Sequence, residues 1–97
     1  MTGNSSSRAT LHILNKAPEH PRHVACLHAL APADTLVLIE NGVLSAAGTQ
    51  LSLPCQLYAL KADIEARALE SAVGDIETID YSELVQLTEK HEKIISW

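Results

Sequence analysis

The chain has 97 residues, of which 46% are hydrophobic and 20% charged. That balance is typical of one globular domain, and it excludes both an intrinsically disordered chain and a chain with two cores. The net charge is −5, and an acidic surface disfavours direct contact with a phosphate backbone, so no nucleic-acid partner is expected. With one Trp, two Tyr and no Phe, the core must be aliphatic.

Strand-like and helix-like segments alternate along the chain. Residues 1–10 are polar and Ser-rich, so we expect a disordered N-terminal extension followed by a single domain over residues 11–97. The predicted strands are 11–14, 35–39, 56–60 and 76–79. The predicted helices are 22–31, 61–71 and 81–91, with a short helix over 43–47 closed by Gly48. Residues 35–39 (TLVLI) have continuous strand character and are apolar at four successive positions, 36–39, which is typical of a strand covered on both faces. The sequence therefore predicts an α/β fold with a small parallel sheet sandwiched by helices.

The cysteines and the hydropathy pattern bear on the cellular compartment. No apolar run is long enough to span a bilayer, and the polar start of the chain does not resemble a secretory signal. Cys26 and Cys55 stand far apart, without a CxxC motif or a disulfide framework. We therefore expect a cytoplasmic protein with reduced thiols and no membrane contact.

The sequence lacks the motifs of several site classes. It has neither the GxGxxG nor the GxxxxGK[ST] pattern of phosphate cradles, and no serine has a nucleophile-elbow context. The histidines are His12, His20, His23, His28 and His91. Their spacing does not form a pair at i, i+4 with a third ligand, so they are interpreted as loop and surface side chains. No cofactor and no metal are expected.

Cys26 is the candidate reactive group. The residues predicted to form the buried stripe of its helix are Val24, Leu27, Leu30 and Ala31. Cys26 then falls at the edge of the stripe, where its sulfur would be partly exposed. The helix start and the neighbouring Arg22 and His23 would favour a thiolate. An inert packing role is the alternative for Cys26, and Cys55, at the start of a predicted buried strand, is expected to be inert.

The last predicted helix has a clear start. Asp80 and Glu83 have the spacing of a capping box, in which each side chain accepts a hydrogen bond from the other residue's backbone N–H. The side chains predicted to bury its inner face are Leu84, Val85 and Leu87. An aromatic residue at the end of the sequence, Trp97, is expected to dock on another surface.

Four segments in this order resemble the DsrH/TusB family. They are LHILNKAP at 11–18, VLIENGVLSA at 37–46, LYALKADIEARAL at 57–69 and IDYSELVQLTEKHEKIISW at 79–97. The extension at residues 1–10 is not typical of the family, and Leu84 stands where an aromatic residue is common. The resemblance implies a DsrE/F/H-type α/β fold, related to flavodoxin-like sheets. It also implies one of three related subunits in TusBCD or DsrEFH sulfur-relay complexes, which pass persulfide sulfur between cysteines.

The resemblance leaves the branch open. The TusBCD branch supports 2-thiolation of the tRNA wobble uridine, and the DsrEFH branch serves bacterial sulfur oxidation. The implied partners are sister DsrE/TusD-like and DsrF/TusC-like subunits in a hetero-oligomer, with a stand-alone homo-oligomeric scaffold as the alternative. The main sulfur-carrying cysteine of such complexes belongs to the DsrE/TusD-like subunit. Cys26 matches a first-helix cysteine of the DsrH branch, so it is a candidate persulfide acceptor in what is at most an accessory subunit of a sulfurtransferase.

Overall fold

The computed structural model describes residues 9–47 and 52–97, which form a five-stranded, fully parallel sheet in the order β4-β3-β2-β1-β5. The strands are β1 (Thr10–Leu14), β2 (Thr35–Leu38), β3 (Gln56–Leu60), β4 (Glu77–Ile79) and β5 (Lys93–Ser96). The helices are α1 (Pro21–Ala29), a 3₁₀ helix (Glu40–Ala46), α2 (Lys61–Ala66) and α3 (Tyr81–Lys90). This architecture confirms the predicted α/β class. Residues 1–8 of the expected extension and the expected helix end at Gly48 lie outside the described residues.

The structure differs from the prediction at β5 and at α2. Strand β5 was not predicted; it pairs with the outer edge of β1, with Leu11 opposite Ile94 and His12 opposite Ile95. Its four residues form a strand because of that long-range pairing, which no local pattern reveals. Helix α2 ends at Ala66 and not at residue 71, because Ala68 has a φ of 53°, a left-handed conformation that terminates a helix.

The connections decide which helices cover which face. From β1 to β4 each strand is added on the same side, so right-handed crossovers place α1, the 3₁₀ helix and α2 on one face. The connection from β4 to β5 runs back across the sheet, and α3 therefore lies on the other face. The larger core is on the first face and includes Leu14, Cys26, Leu36, Leu38, Val43, Ala59 and Ile64. The smaller core, under α3, is built on Leu11, Val37 and Ile79.

Gly42 allows the turn after β2 to pack against the end of β1. A Cβ at this position would run into the carbonyl oxygen of Leu14, so only glycine fits. The same carbonyl accepts a hydrogen bond from Ile39 N–H at 3.0 Å. The Asn-Gly-Val segment therefore fixes the carboxyl ends of β1 and β2 relative to each other.

Within the described parts of the chain, no helix combines the length and the apolar character that a membrane crossing requires. Residues 9–47 and 52–97 also hold no cluster of three His, Cys, Asp or Glu side chains that could bind a metal ion.

Candidate functional site

The direction of the strand order changes at β1, because β2 lies on one side of it and β5 on the other. In open parallel sheets the crevice at such a switch point, at the carboxyl ends of the strands, is the usual ligand site. Here the backbone N–H of Trp97 donates to Ile13 O at 2.8 Å. Lys16 Nζ donates to the carbonyl oxygen of Trp97 at 2.8 Å and to Asn15 Oδ1 at 2.7 Å. The chain itself therefore occupies this position.

His12 links Trp97 to Asp34 through a buried relay. The indole Nε1–H of Trp97 donates to His12 Nδ1 at 3.1 Å, and His12 Nε2 lies 2.8 Å from Asp34 Oδ2. An indole can only donate, so Nδ1 must accept, and the ring proton is on Nε2, which donates to the carboxylate. The two rings lie nearly coplanar, edge to edge along this hydrogen bond, with centroids 6.1 Å apart and planes 20° apart. This arrangement fixes one tautomer of His12.

The carboxylate of Asp34 accepts three hydrogen bonds. It accepts hydrogen bonds from Thr10 N–H at 3.1 Å and Ala31 N–H at 3.0 Å, besides the one from His12. Burial by itself would raise the pKa of Asp34, but these three donors outweigh it and hold the pKa below its ordinary value of 3.8. The ionised carboxylate therefore fastens the start of β1 to the turn between α1 and β2.

The face of α1 that packs on the sheet is rotated from the predicted one. The residues that turn inward are His23, Cys26, Leu27 and Leu30. Val24 was expected in the buried stripe but is 48% exposed, and Ala31 lies beyond the helix and is exposed. His23 Nδ1–H donates to Lys16 O at 2.8 Å, which satisfies the imidazole inside the interface. A histidine is polar and does not contribute to a hydrophobic pattern, so the predicted stripe lies one position away from the observed one.

This rotation corrects the expectation for Cys26. The thiol is not partly exposed: the side chain has 0% exposure and belongs to the larger core. Burial, together with the charge of a Cys55 thiolate, raises the pKa of Cys26 to about 12, which opposes the thiolate that was expected near Arg22 and His23. The geometry is that of a packing residue. The role of Cys26 as a persulfide acceptor stays a prediction.

Cys55 is the more accessible of the two thiols. It was expected inside a buried strand, but it precedes β3 and is half-buried at the margin of the same core. Burial raises the pKa of Cys55, and the negative charge of Asp34 raises it further. Neither thiol therefore has the electropositive surroundings of an activated cysteine.

The five histidines fall into three groups by burial. His20 and His28 are exposed, as expected, and His20 Nδ1 caps α1 by accepting from Arg22 N–H at 3.1 Å. His12 and His23 are buried, which corrects their interpretation as loop and surface side chains. His91 is half-buried and bridges α3 to β2, donating from Nδ1 to Leu87 O at 2.7 Å and accepting from Thr35 Oγ1 at 3.0 Å. Sequence reasoning missed the burial of His12 and His23 because their partners, Asp34 and Lys16 O, lie on other elements of the fold.

Trp97 docks on its own chain. Its indole packs against the larger core, and the guanidinium of Arg22 on α1 lies 5.4 Å from the ring centroid, within the range of a cation–π contact. Together with the His12 bond, these contacts hold the end of β5 against α1. Trp97 is docked, as expected, but the surface that receives it belongs to its own chain, and no local pattern points to His12.

Comparisons with known proteins agree with this fold. The DsrH-like protein family profile matches residues 17–94. Protein TusB of Serratia proteamaculans is 38% identical, and protein TusB of Escherichia coli O81 is 35% identical, each over 90% of this chain and 99% of the relative. The solution structure of protein Tm0979 from Thermotoga maritima has a TM-score of 0.68 at 32% identity, covering 87% of this chain and 95% of that one. The YchN protein of Escherichia coli shares the fold with a TM-score of 0.68 at 15% identity, over 93% of this chain and 99% of its own. The chain belongs to the DsrH-like family.

Proposed function

We propose that this protein is the TusB-type subunit of a cytoplasmic sulfur-relay complex that supports 2-thiolation of the tRNA wobble uridine. The observation that carries the proposal is the end-to-end similarity to proteins named TusB, at 35–38% identity over 99% of their length. A second solution structure of Tm0979, which is 33% identical to this chain, is provisionally described as that of a sulfur transferase. That description supports a role in sulfur transfer. The net charge of −5 disfavours direct tRNA binding, so the contacts that matter are with protein partners.

We further propose that the subunit contributes as a scaffold and does not itself carry sulfur. A carrier thiol must reach the sulfane sulfur of a partner's persulfide, and attack requires both access and a thiolate. Cys26 has neither at neutral pH, because it is fully buried and its pKa is raised to about 12. The sulfur-carrying cysteine would then belong to the DsrE/TusD-like subunit, with a DsrF/TusC-like chain as the third member.

The alternative is a carrier role for Cys26. In that step the Cys26 thiolate attacks the terminal sulfur of a partner persulfide, forming a new S–S bond on Cys26 and releasing the partner as a thiolate. The partner's persulfide could reach Cys26 only if α1 moved away from the sheet. That movement would separate Cys26 from the core and also break the hydrogen bond between His23 and Lys16 O.

Complementation tests the proposal. A bacterial strain that lacks its own TusB subunit is given this chain, and 2-thiouridine in its tRNA is measured by mass spectrometry. We expect thiolation to return when the DsrE/TusD-like and DsrF/TusC-like subunits from the same source are supplied. A complex that assembles but restores no 2-thiouridine would contradict the tRNA branch and favour the sulfur-oxidation branch, whose readout is sulfur-compound consumption.

A further inference from the structure

Helix α3 covers its face of the sheet alone, and its two flanks differ. One flank lines a groove of about 120 Å³ against the β4 edge. The groove residues contributed by α3 are Glu83, Gln86, Leu87 and Lys90. Leu84 and Leu87 point down onto the smaller core. At 100° per residue, Tyr81 and Val85 must then lie on the opposite flank, which faces β1 and β5.

That second flank exposes apolar side chains. Tyr81 is 61% exposed and Val85 55% exposed. On β5, Ile94 is opposite Leu11 of the smaller core, so it lies on the same face of the sheet as α3, and it is 45% exposed. Half-buried Ile13 at the end of β1 borders the same region. We name Tyr81, Val85 and Ile94 the α3–β5 patch.

The surroundings of the patch carry negative charge. Three exposed acidic residues lie close to it along the chain: Asp80, which precedes Tyr81 and caps α3, Glu89 and Glu92. Glu89 follows Val85 by one helical turn, and Glu92 precedes Ile94 by two residues. The two lysines closest in sequence point elsewhere: Lys90 lines the groove on the opposite flank, and Lys93 is opposite Thr10, on the other face of β5.

We propose that the α3–β5 patch is the surface on which a different chain docks, one that presents an apolar patch with basic residues around it. A second copy of this chain does not fit, because a twofold contact would bring the two acidic rims together. The apolar centre and single-sign rim match the usual anatomy of an interface, where apolar contacts supply affinity and rim charges supply steering. The inference rests on the proposed function in that the docking chain is a sister subunit of the relay complex.

The experiment uses the full chain and its two purified sister subunits. Val85→Asp is compared with Val24→Asp, which changes another exposed valine, on α1 across the sheet (48% exposed, against 55% for Val85). Glu89→Lys is compared with Glu65→Lys, an exposed acid on α2. Dissociation constants are measured by calorimetry at low and high salt, and urea unfolding confirms that each variant is folded.

The expected result separates the patch from its controls. Val85→Asp weakens binding to one sister subunit by roughly tenfold or more, as for a central interface residue. Glu89→Lys weakens it by about threefold and reduces its dependence on salt. Val24→Asp and Glu65→Lys bind as the unchanged protein does.

Three outcomes overturn the inference. If the sister subunits bind but the patch variants bind equally well, the surface is wrong and the proposed function stands. If the protein instead forms a homodimer that Val85→Asp dissociates, the patch binds a second copy of this chain and not a sister subunit. If the unchanged protein binds neither sister subunit, the proposed function fails together with the inference.

Discussion

The indole Nε1–H of Trp97 donates a hydrogen bond to Nδ1 of His12 at 3.1 Å, across 85 positions of sequence. His12 in turn donates a hydrogen bond from Nε2 to Asp34 Oδ2 at 2.8 Å. The relay joins the residue after β5, the middle of β1 and the turn before β2. The last strand is therefore held by side chains as well as by its backbone pairing with β1.

Removing the indole donor should destabilise the fold. Trp97→Phe keeps a ring but leaves Nδ1 of buried His12 without a donor, and we expect a loss of about 1–2 kcal/mol in the free energy of unfolding. Trp97→Ala also removes packing and should cost about 2–4 kcal/mol. Tyr81→Phe, an aromatic change on an exposed side chain, is the control and should stay within about 0.5 kcal/mol. Urea titration measures the free energy of unfolding of all three variants. Equal stabilities of Trp97→Phe and the unchanged protein would contradict a stabilising hydrogen bond from Trp97 to His12.

The carboxylate of Asp34 should make stability depend on acid. Its folded pKa lies below 3.8, so ionised Asp34 stabilises the fold above its unfolded pKa. That contribution is lost as the pH falls below about 4 and through the lowered folded pKa. Asp34→Asn should be less stable at neutral pH and should lose this part of the acid dependence. If the free energies of unfolding of both proteins decline in parallel between neutral pH and pH 3, Asp34 does not contribute to the acid dependence.

The two thiols should differ in alkylation. Cys55 is half-buried and Cys26 fully buried, so iodoacetamide should modify Cys55 first, the reverse of the order that the sequence favours. Cys26 should react only through opening of the core, roughly a hundredfold or more slower than in urea-unfolded protein. Mass spectrometry of peptides gives both rates. Faster labelling of Cys26 than of Cys55 in the native protein would indicate that α1 opens readily.

The turn after β2 should not tolerate a side chain at Gly42. Gly42→Ala forces its Cβ against the Leu14 carbonyl, and we expect a loss of at least about 2–3 kcal/mol. Gly74→Ala is the matched control, since its Cβ meets nothing within 4 Å and only the φ of 59° is unfavourable. That change should cost about 1–2 kcal/mol. The two glycine variants are compared by thermal unfolding, and similar losses would mean that the contact with β1 relaxes.

Local pattern was sufficient for the parts of the fold that depend on local chemistry. The continuous strand character of 35–39, apolar from 36 to 39, predicts the central strand, and the Asp80–Glu83 capping box occurs as expected, with hydrogen bonds of 2.8 and 3.0 Å. Both signals lie within a few residues of the element that they specify.

Long-range partners account for what was missed. β5 exists because β1 offers a free edge, and α1 is rotated because Lys16 O satisfies His23 in the interface. The predicted inner face of α3 was wrong at one position, since Val85 is exposed while Leu84 and Leu87 pack on the sheet. The burial of Cys26 follows from the rotation of α1, so the candidate site was the feature most sensitive to an error in tertiary placement.

The most direct test of the account is the level of 2-thiouridine in tRNA when this subunit carries Cys26→Ala. The strain expresses the variant together with both sister subunits, and the unchanged chain and a strain without it serve as references. A scaffold predicts thiolation equal to that with the unchanged chain. Thiolation as low as in the strain without the subunit, from a Cys26→Ala protein that is folded and still assembled, would contradict the scaffold role and assign sulfur transfer to Cys26.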